Sequence, residues 1–191
     1  WNPLWRATGT AQAQWPNFQR ANLTALGQAT GATAADANAQ GTMLASGARY
    51  VEMTLNNTSS GDMLFGLTGP TPLLAGGGTQ IIRINVNGNW DLRNQDNTSV
   101  ATGTSTNGSV WGFLSDQDAG TCQVFLNGTD LGTATGYQTE MAPGLTFQAS
   151  SNGSFANKET TVNYGQTPWL HAPAGVTVET HAIQTQNLPA A

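Results

Sequence analysis

The carboxylates come first, because a chain that hydrolyses a glycosidic bond must set two of them ~5 to 9.5 Å apart across its substrate. On a strand such a pair reads as acidic residues two positions apart, facing one side of the sheet. The four glutamates, Glu52, Glu140, Glu159 and Glu179, are well separated, and none has an acidic partner at that spacing within a strand. Asp116 and Asp118 do have it, but they stand just ahead of Gly120 in a turn sequence, where carboxylates accept backbone N–H bonds. Their oxygens also open a calcium reading. Two carboxylates are too few to carry it, and no metal or other cofactor is expected. Cys122 is the single cysteine, so it has no partner for an intrachain disulfide or a thiolate cluster. As a nucleophile it would want a histidine, and only His171 and His181 exist, both far along the chain. Gly76-Gly77-Gly78 neither carries a lysine nor opens a helix, so it is not a phosphate loop. No Gly-x-Ser-x-Gly elbow, zinc-ligand spacing or Ser/His/Asp arrangement stands out. The expected class is non-enzymatic.

Residue types suited to binding occur in one place. Asn89, Trp90 and Asp91, followed by Arg93 and Asp96, combine an aromatic face with hydrogen-bonding side chains of both charges, the mix that a sugar-binding loop uses. The competing reading is that Trp90 covers a sheet edge or a subunit contact. A second aromatic group, Trp1, Trp5 and Trp15, suits interface anchors, as tryptophans do, or equally well plain core packing.

The elements that must hold these residues are short strands. Residues 111–132, WGFLSDQDAGTCQVFLNGTDLG, contain an apolar run (Trp111, Phe113, Leu114), a turn (Asp116, Asp118, Gly120) and an alternating strand (Cys122, Val124, Leu126). Asn127-Gly128 follows, a dipeptide that tolerates φ > 0 at both central positions of a two-residue hairpin. Further strands are expected over 50–55, 63–67, 80–86, 110–114, 123–126, 145–149 and 160–164, separated by Asn-Gly and Ser-Gly turn signals. The run 89–108 reads as an exposed loop or a pair of short edge strands. Residues 32–39 read as loop with one helical turn. Seven Asn-x-Ser/Thr triplets occur, four of them Asn-Gly-Ser/Thr or Asn-Asn-Thr, so turn chemistry explains them better than glycosylation.

Composition sets the class. The chain has 191 residues, enough for one sandwich domain with a real core. Only 9% of residues are charged, against about 25% in ordinary soluble domains. Lys158 is the only lysine, so the surface must be built from Thr, Asn, Gln, Ser and Gly. The net charge is −5 and the arginines are scattered, which leaves nucleic acid nothing to draw phosphate affinity from. No run approaches the ~20 apolar residues of a membrane span, so membrane insertion is not expected.

These residues together resemble a SPRY domain. The aspartate turn and the strand Val124-Phe125 leading to Asn127-Gly128 match one of its motifs, with Trp111 and Asp116 upstream. TTVNYGQTPW at 160–169 matches its closing strand, through Asn163, Tyr164, Gly165, Pro168 and Trp169. RYVEMTLNNTSSGDMLFGLTG at 49–69 is similar to its opening pair of strands. The resemblance spans residues 45 to 170 and implies an all-β, antiparallel β-sandwich of concanavalin-like type with little helix. On this reading 1–191 is a single domain: a poorly readable part over 1–48, a sandwich core over 49–170 and a closing segment over 171–191. WNPL at the start, with the proline-glycine and asparagine-leucine-proline segments near the end, is similar to a SPRY-type variant of tailed-phage virion proteins. Three features depart from that pattern: Val176 stands where an aromatic is usual, the last segment is longer, and 70–78 is an insert. The resemblance implies a virion surface protein, in a tail fibre or as head decoration, acting by binding. Its expected partners are host-surface glycan, neighbouring virion proteins and itself, as a homo-oligomer and a trimer if it is a fibre tip. The alternative is a secreted bacterial carbohydrate-binding module attached to a hydrolase.

Overall fold

Thirteen strands build the computed structural model, which describes residues 17–19, 24–26, 37–40, 48–57, 63–68, 82–84, 88–116, 118–136, 142–147, 159–163, 165 and 167–176. In chain order they are β1 (Asn17–Gln19), β2 (Thr24–Leu26), β3 (Ala37–Gln40), β4 (Ala48–Asn57), β5 (Met63–Thr68), β6 (Ile82–Ile84) and β7 (Asn89–Arg93). Then come β8 (Ser99–Thr104), β9 (Val110–Asp116), β10 (Thr121–Leu126), β11 (Thr129–Thr135), β12 (Ala142–Phe147) and β13 (Glu159–Asn163). They form two antiparallel sheets, one ordered β1-β2-β13-β4-β9-β10-β11 and the other β3-β12-β5-β6-β7-β8. The described residues contain no helix. The helical turn expected within 32–39 is therefore corrected over its last three residues: Ala37–Gln40 pairs with β12, because a ladder of cross-strand hydrogen bonds outweighs alanine's weak helical preference.

Strand alternation makes the core. On β4, Val51, Met53 and Leu55 face inward and are essentially unexposed. Register aligns them with Phe113 and Trp111 of β9, and Phe113 with Val124 of β10. The facing sheet contributes Ile82 and Ile84 of β6 and Trp90 and Leu92 of β7, all buried. The two sheets meet where Trp90 stands edge-on to Trp111, ring centroids 5.5 Å apart at 87°, a favoured aromatic geometry. Gly103 on β8, opposite Trp90, makes this possible: a Cβ there would come 2.5 Å from the indole. The Trp90 indole N–H has no acceptor among the described residues, at a cost of about 1–3 kcal/mol. Burying ~200 Å² of ring at ~25 cal/mol per Å² gives about 5 kcal/mol, so packing wins.

The turns follow their sequences. Asn127 (φ 50°) and Gly128 (φ 81°) form the tight turn between β10 and β11. Asn127 also ties back to the start of β9: its N–H donates to the Val110 carbonyl, and its Oδ1 accepts from the Val110 N–H, each at 2.8 Å. Asp116 Oδ1 accepts from the N–H groups of Asp118 and Ala119, both at 3.0 Å, so this carboxylate caps a turn.

Replacing Trp90 by alanine is expected to lower stability by about 3–5 kcal/mol in urea unfolding, the usual cost of emptying a tryptophan site in a core. A loss below ~1 kcal/mol would mean that the indole does not bridge the sheets.

Candidate functional site

The expected binding residues divide according to strand parity. The run 89–108 forms the last two strands of the six-stranded sheet: β8 lies at its edge, whereas β7 is paired on both sides, with β6 and β8. Trp90 faces inward and is 7% exposed, so it presents no aromatic face to a ligand. That expectation is corrected: alternation on β7 turns Trp90 and Leu92 into the core and Asn89, Asp91 and Arg93 outward. The outward set lines a depression of about 500 Å³ on the outer face of the six-stranded sheet, together with Thr102 and Thr104 of β8. The paired Trp90 and Gly103 complete its lining, the Trp90 side chain being buried.

Asp91 is fully engaged. Its Oδ2 accepts from Arg93 Nε at 2.7 Å and lies 2.6 Å from Nη2, while Oδ1 accepts from the Ser99 hydroxyl at 2.6 Å. With side chains 33% and 21% exposed, the Arg93–Asp91 pair stabilises the fold by about 0–1 kcal/mol at most. Its consequence is orientation: two contacts to one oxygen fix the plane of the guanidinium at the rim of the depression. In the β6–β7 ladder Arg83 stands opposite Asp91.

Asp96 is not part of this group. Its Oδ1 accepts from the Thr98 hydroxyl at 2.6 Å and the Thr98 N–H at 3.0 Å, closing the turn between β7 and β8. These bonds hold the Asp96 carboxyl below its ordinary pKa, the hydroxyl contributing most. The same turn reaches the other sheet: Gln95 N–H donates to the Thr135 carbonyl, and Asn94 Oδ1 accepts from the Thr135 N–H. Trp1, Trp5 and Trp15 lie outside the described residues, as does Tyr164.

The most buried charged side chain among the described residues was not among the expected site residues. Glu52 is 1% exposed, on the outer face of the seven-stranded sheet. Its Oε2 accepts from the Leu170 N–H at 2.9 Å and its Oε1 from the His171 N–H at 2.8 Å. The Tyr50 hydroxyl lies 3.3 Å from both Glu52 Oε1 and the His171 carbonyl oxygen. Burial, then the charge and hydrogen bond of Glu52, push the Tyr50 hydroxyl far above its ordinary pKa, so it stays protonated and donates. Trp169 meets Tyr50 edge-on, centroids 5.0 Å apart. Asn163, opposite Glu52 in the β13–β4 ladder, shapes the approach. Its Oδ1 accepts from the Gly165 N–H, and its Nδ2 donates to the carbonyls of Thr167 and Pro168. Phe125 and Gly112 lie on the same outer face, and a Cβ at Gly112 would collide with the Tyr50 hydroxyl. Of the SPRY-like motif residues, Asn163 and Trp169 thus help Glu52 and Tyr50 strap the segment 167–171 across the sheet, while Trp111 lies in the core and Asp116 caps a turn. A lone glutamate inside the apolar strand RYVEMTL was the available signal.

This carboxylate has the burial of a catalytic acid but spends its oxygens on the backbone. Among the described residues, no group of three or more His, Cys, Asp or Glu side chains could hold a metal ion. Cys122 is buried against the inner face, and desolvation raises its thiol pKa far above the ordinary value.

No family model and no curated protein matches the sequence. Solved structures match in fold. The chain is similar to the SPRY domain of human HERC1, with a TM-score of 0.55 at 15% identity, covering 76% of this chain and 91% of that one. A second human SPRY domain gives a TM-score of 0.51 at 10% identity, covering 74% and 91%. The PSpry domain of TRIM65 gives 0.52 at 12%, covering 78% and 85%. These likenesses establish an all-β sandwich with a SPRY-type fold.

Two measurements check the geometry. Glu52→Ala removes the acceptor of two backbone N–H groups and one of the two acceptors near the Tyr50 hydroxyl, and is expected to cost about 3–5 kcal/mol, with faster amide exchange in 167–176 as the local readout. Protection unchanged in that segment would refute the strap. Cys122 is expected to stay unreactive toward a thiol reagent at pH 8 in the folded chain and to react fully in denaturant.

Proposed function

We propose that this chain is a non-enzymatic binding domain of a tailed-phage virion, acting at the particle surface. Its binding site on this reading is the depression on the outer face of β7 and β8, with host-surface glycan as ligand and neighbouring virion subunits as structural partners. The observation that carries the site is the outward row of Asn89, Asp91 and Arg93 beside Thr102 and Thr104, a concave surface of hydrogen-bonding groups around an oriented guanidinium. Support for the virion context lies in the sequence: WNPL at the start, the proline-glycine and asparagine-leucine-proline segments at the end, and the charge-poor surface. A rigid sandwich carrying recognition groups on its surface fits a domain that binds without reacting.

With Trp90 turned inward, recognition at this site rests on hydroxyls and charge, not on stacking a sugar ring on the indole. Arg93 offers donors to sugar hydroxyls or acidic groups, and Asp91 holds it in place. Thr102, Thr104 and Asn89 supply neutral donors and acceptors around it. A saccharide with several free hydroxyls matches that surface better than an apolar ligand.

The test is binding of the purified chain to isolated surface polysaccharide from candidate host bacteria, with Asp91→Ala and Arg93→Ala beside wild type. Each variant is expected to weaken binding about tenfold or more, the loss of roughly one charge-assisted hydrogen bond. Thermal stability should stay close to wild type, since a partly exposed pair of this kind is worth about 0–1 kcal/mol. Equal binding by all three proteins would exclude this site. Absence of the protein from mass spectra of purified particles would exclude the virion reading.

A further inference from the structure

The end of the six-stranded sheet carries an inference independent of the virion reading. β8 is the last strand of that sheet. The Ser105 N–H donates to the Gly88 carbonyl, so Ser105 faces β7 in the ladder. With the alternation of antiparallel pairing, Gly103 and Ala101 also turn their backbone groups to β7. Thr102 and Thr104 therefore point their N–H and C=O groups away from the sheet, and both residues are exposed.

The two neighbouring edges of the sandwich are treated differently. On β11, Asp130 Oδ1 takes the Gly132 N–H at 2.8 Å and Asn94 Oδ1 takes the Thr135 N–H at 2.9 Å. Those donors are spent within the chain. Among the described residues no side chain takes the outward backbone groups of Thr102 or Thr104, and the sequence SVATGT lacks the charges and prolines that usually blunt an edge strand.

We infer that β8 is a self-association edge that pairs antiparallel with β8 of a second copy of this chain. The occupant is read from the strand itself. Thr102-Gly103-Thr104 is palindromic about Gly103, so a two-fold axis perpendicular to the sheet sets Thr102 opposite the partner's Thr104, and Gly103 opposite the partner's Gly103. Both Thr pairs exchange N–H···O=C bonds through the groups left outward by β7. Threonine against threonine is a favourable cross-strand pair. No charged side chain lies on β8, so two copies bring no like charges together. At the axis Gly103 has no side chain, and the space over it inside the sandwich is already filled by the Trp90 indole. The result is one continuous sheet with the outer faces on the same side. The two depressions become neighbours across the axis, with threonines of both copies between them. This arrangement replaces the expected trimer with a two-fold pair.

The test is sedimentation of the full chain over a range of concentrations. Wild type is expected to show a monomer–dimer equilibrium. Thr102→Lys with Thr104→Lys places lysine opposite lysine in both pairs and should raise the dimer dissociation constant roughly tenfold or more. Thr102→Lys with Thr104→Glu places lysine opposite glutamate and should restore the dimer, with affinity that falls as salt rises. In the monomer the new side chains face Asp91 and Asn89 across the ladder, so neither variant creates a like-charge pair with lysine there. Circular dichroism melts report folding for both. A wild type that is monomeric throughout or trimeric, a dilysine variant that dimerises like wild type, or equal loss in both variants would overturn the proposal.

Discussion

The contact on which the rest of this sandwich depends is Trp90 against Trp111. Those indoles join strands from opposite sheets, and their contact sets the phase of β7. Once Trp90 and Leu92 point into the core, period-two alternation forces Asn89, Asp91 and Arg93 onto the outer surface. It also dictates a glycine at 103, because the indole occupies the volume that any Cβ there would need. The polar depression and the side-chain-free centre of β8 are thus both consequences of one buried aromatic pair. An inward tryptophan is what allows its polar neighbours to act as a group.

The opposite surface is governed by a different device. Glu52 is a carboxylate buried within a strand, and a buried charge is tolerated only where strong donors replace water. Here the donors are two backbone N–H groups of the closing segment and the Tyr50 hydroxyl. Asn163 arranges the preceding turn so that those N–H groups arrive in position. Chain closure in this fold is therefore a polar event laid over an apolar sheet. Of the residues most like SPRY motifs, Asn163 and Trp169 gather around this segment, and none of the motif residues lines the depression.

Much of the architecture was legible in the residues. Seven strands were visible from alternation and turn chemistry, and Asn127-Gly128 adopts the conformation its sequence requires. β11 was harder to see because Asp130, Gly132 and three threonines dilute its apolar pattern. β7 and β8 were obscured by polar residues on the outer face and, on β8, by the small inward residues Ala101 and Gly103. The candidate site was legible in part: Asp91 and Arg93 line the depression, whereas Asp96 belongs to a turn and Trp90 to the core. A tryptophan among polar neighbours looks the same in sequence whether it faces a ligand or a second sheet.

Local chemistry by itself determined that this chain forms strands and where its tight turns fall. It did so because side-chain period and backbone preference act over a few residues. The burial of Glu52, the inward face of Trp90 and the open edge of β8 were decided only by tertiary structure. Each depends on a partner at least a strand away: residues 170 and 171 for the carboxylate, Trp111 for the indole, and the end of the sheet for the edge. Sequence spacing carries no record of which strands become neighbours, so the placement of these groups had to wait for the fold.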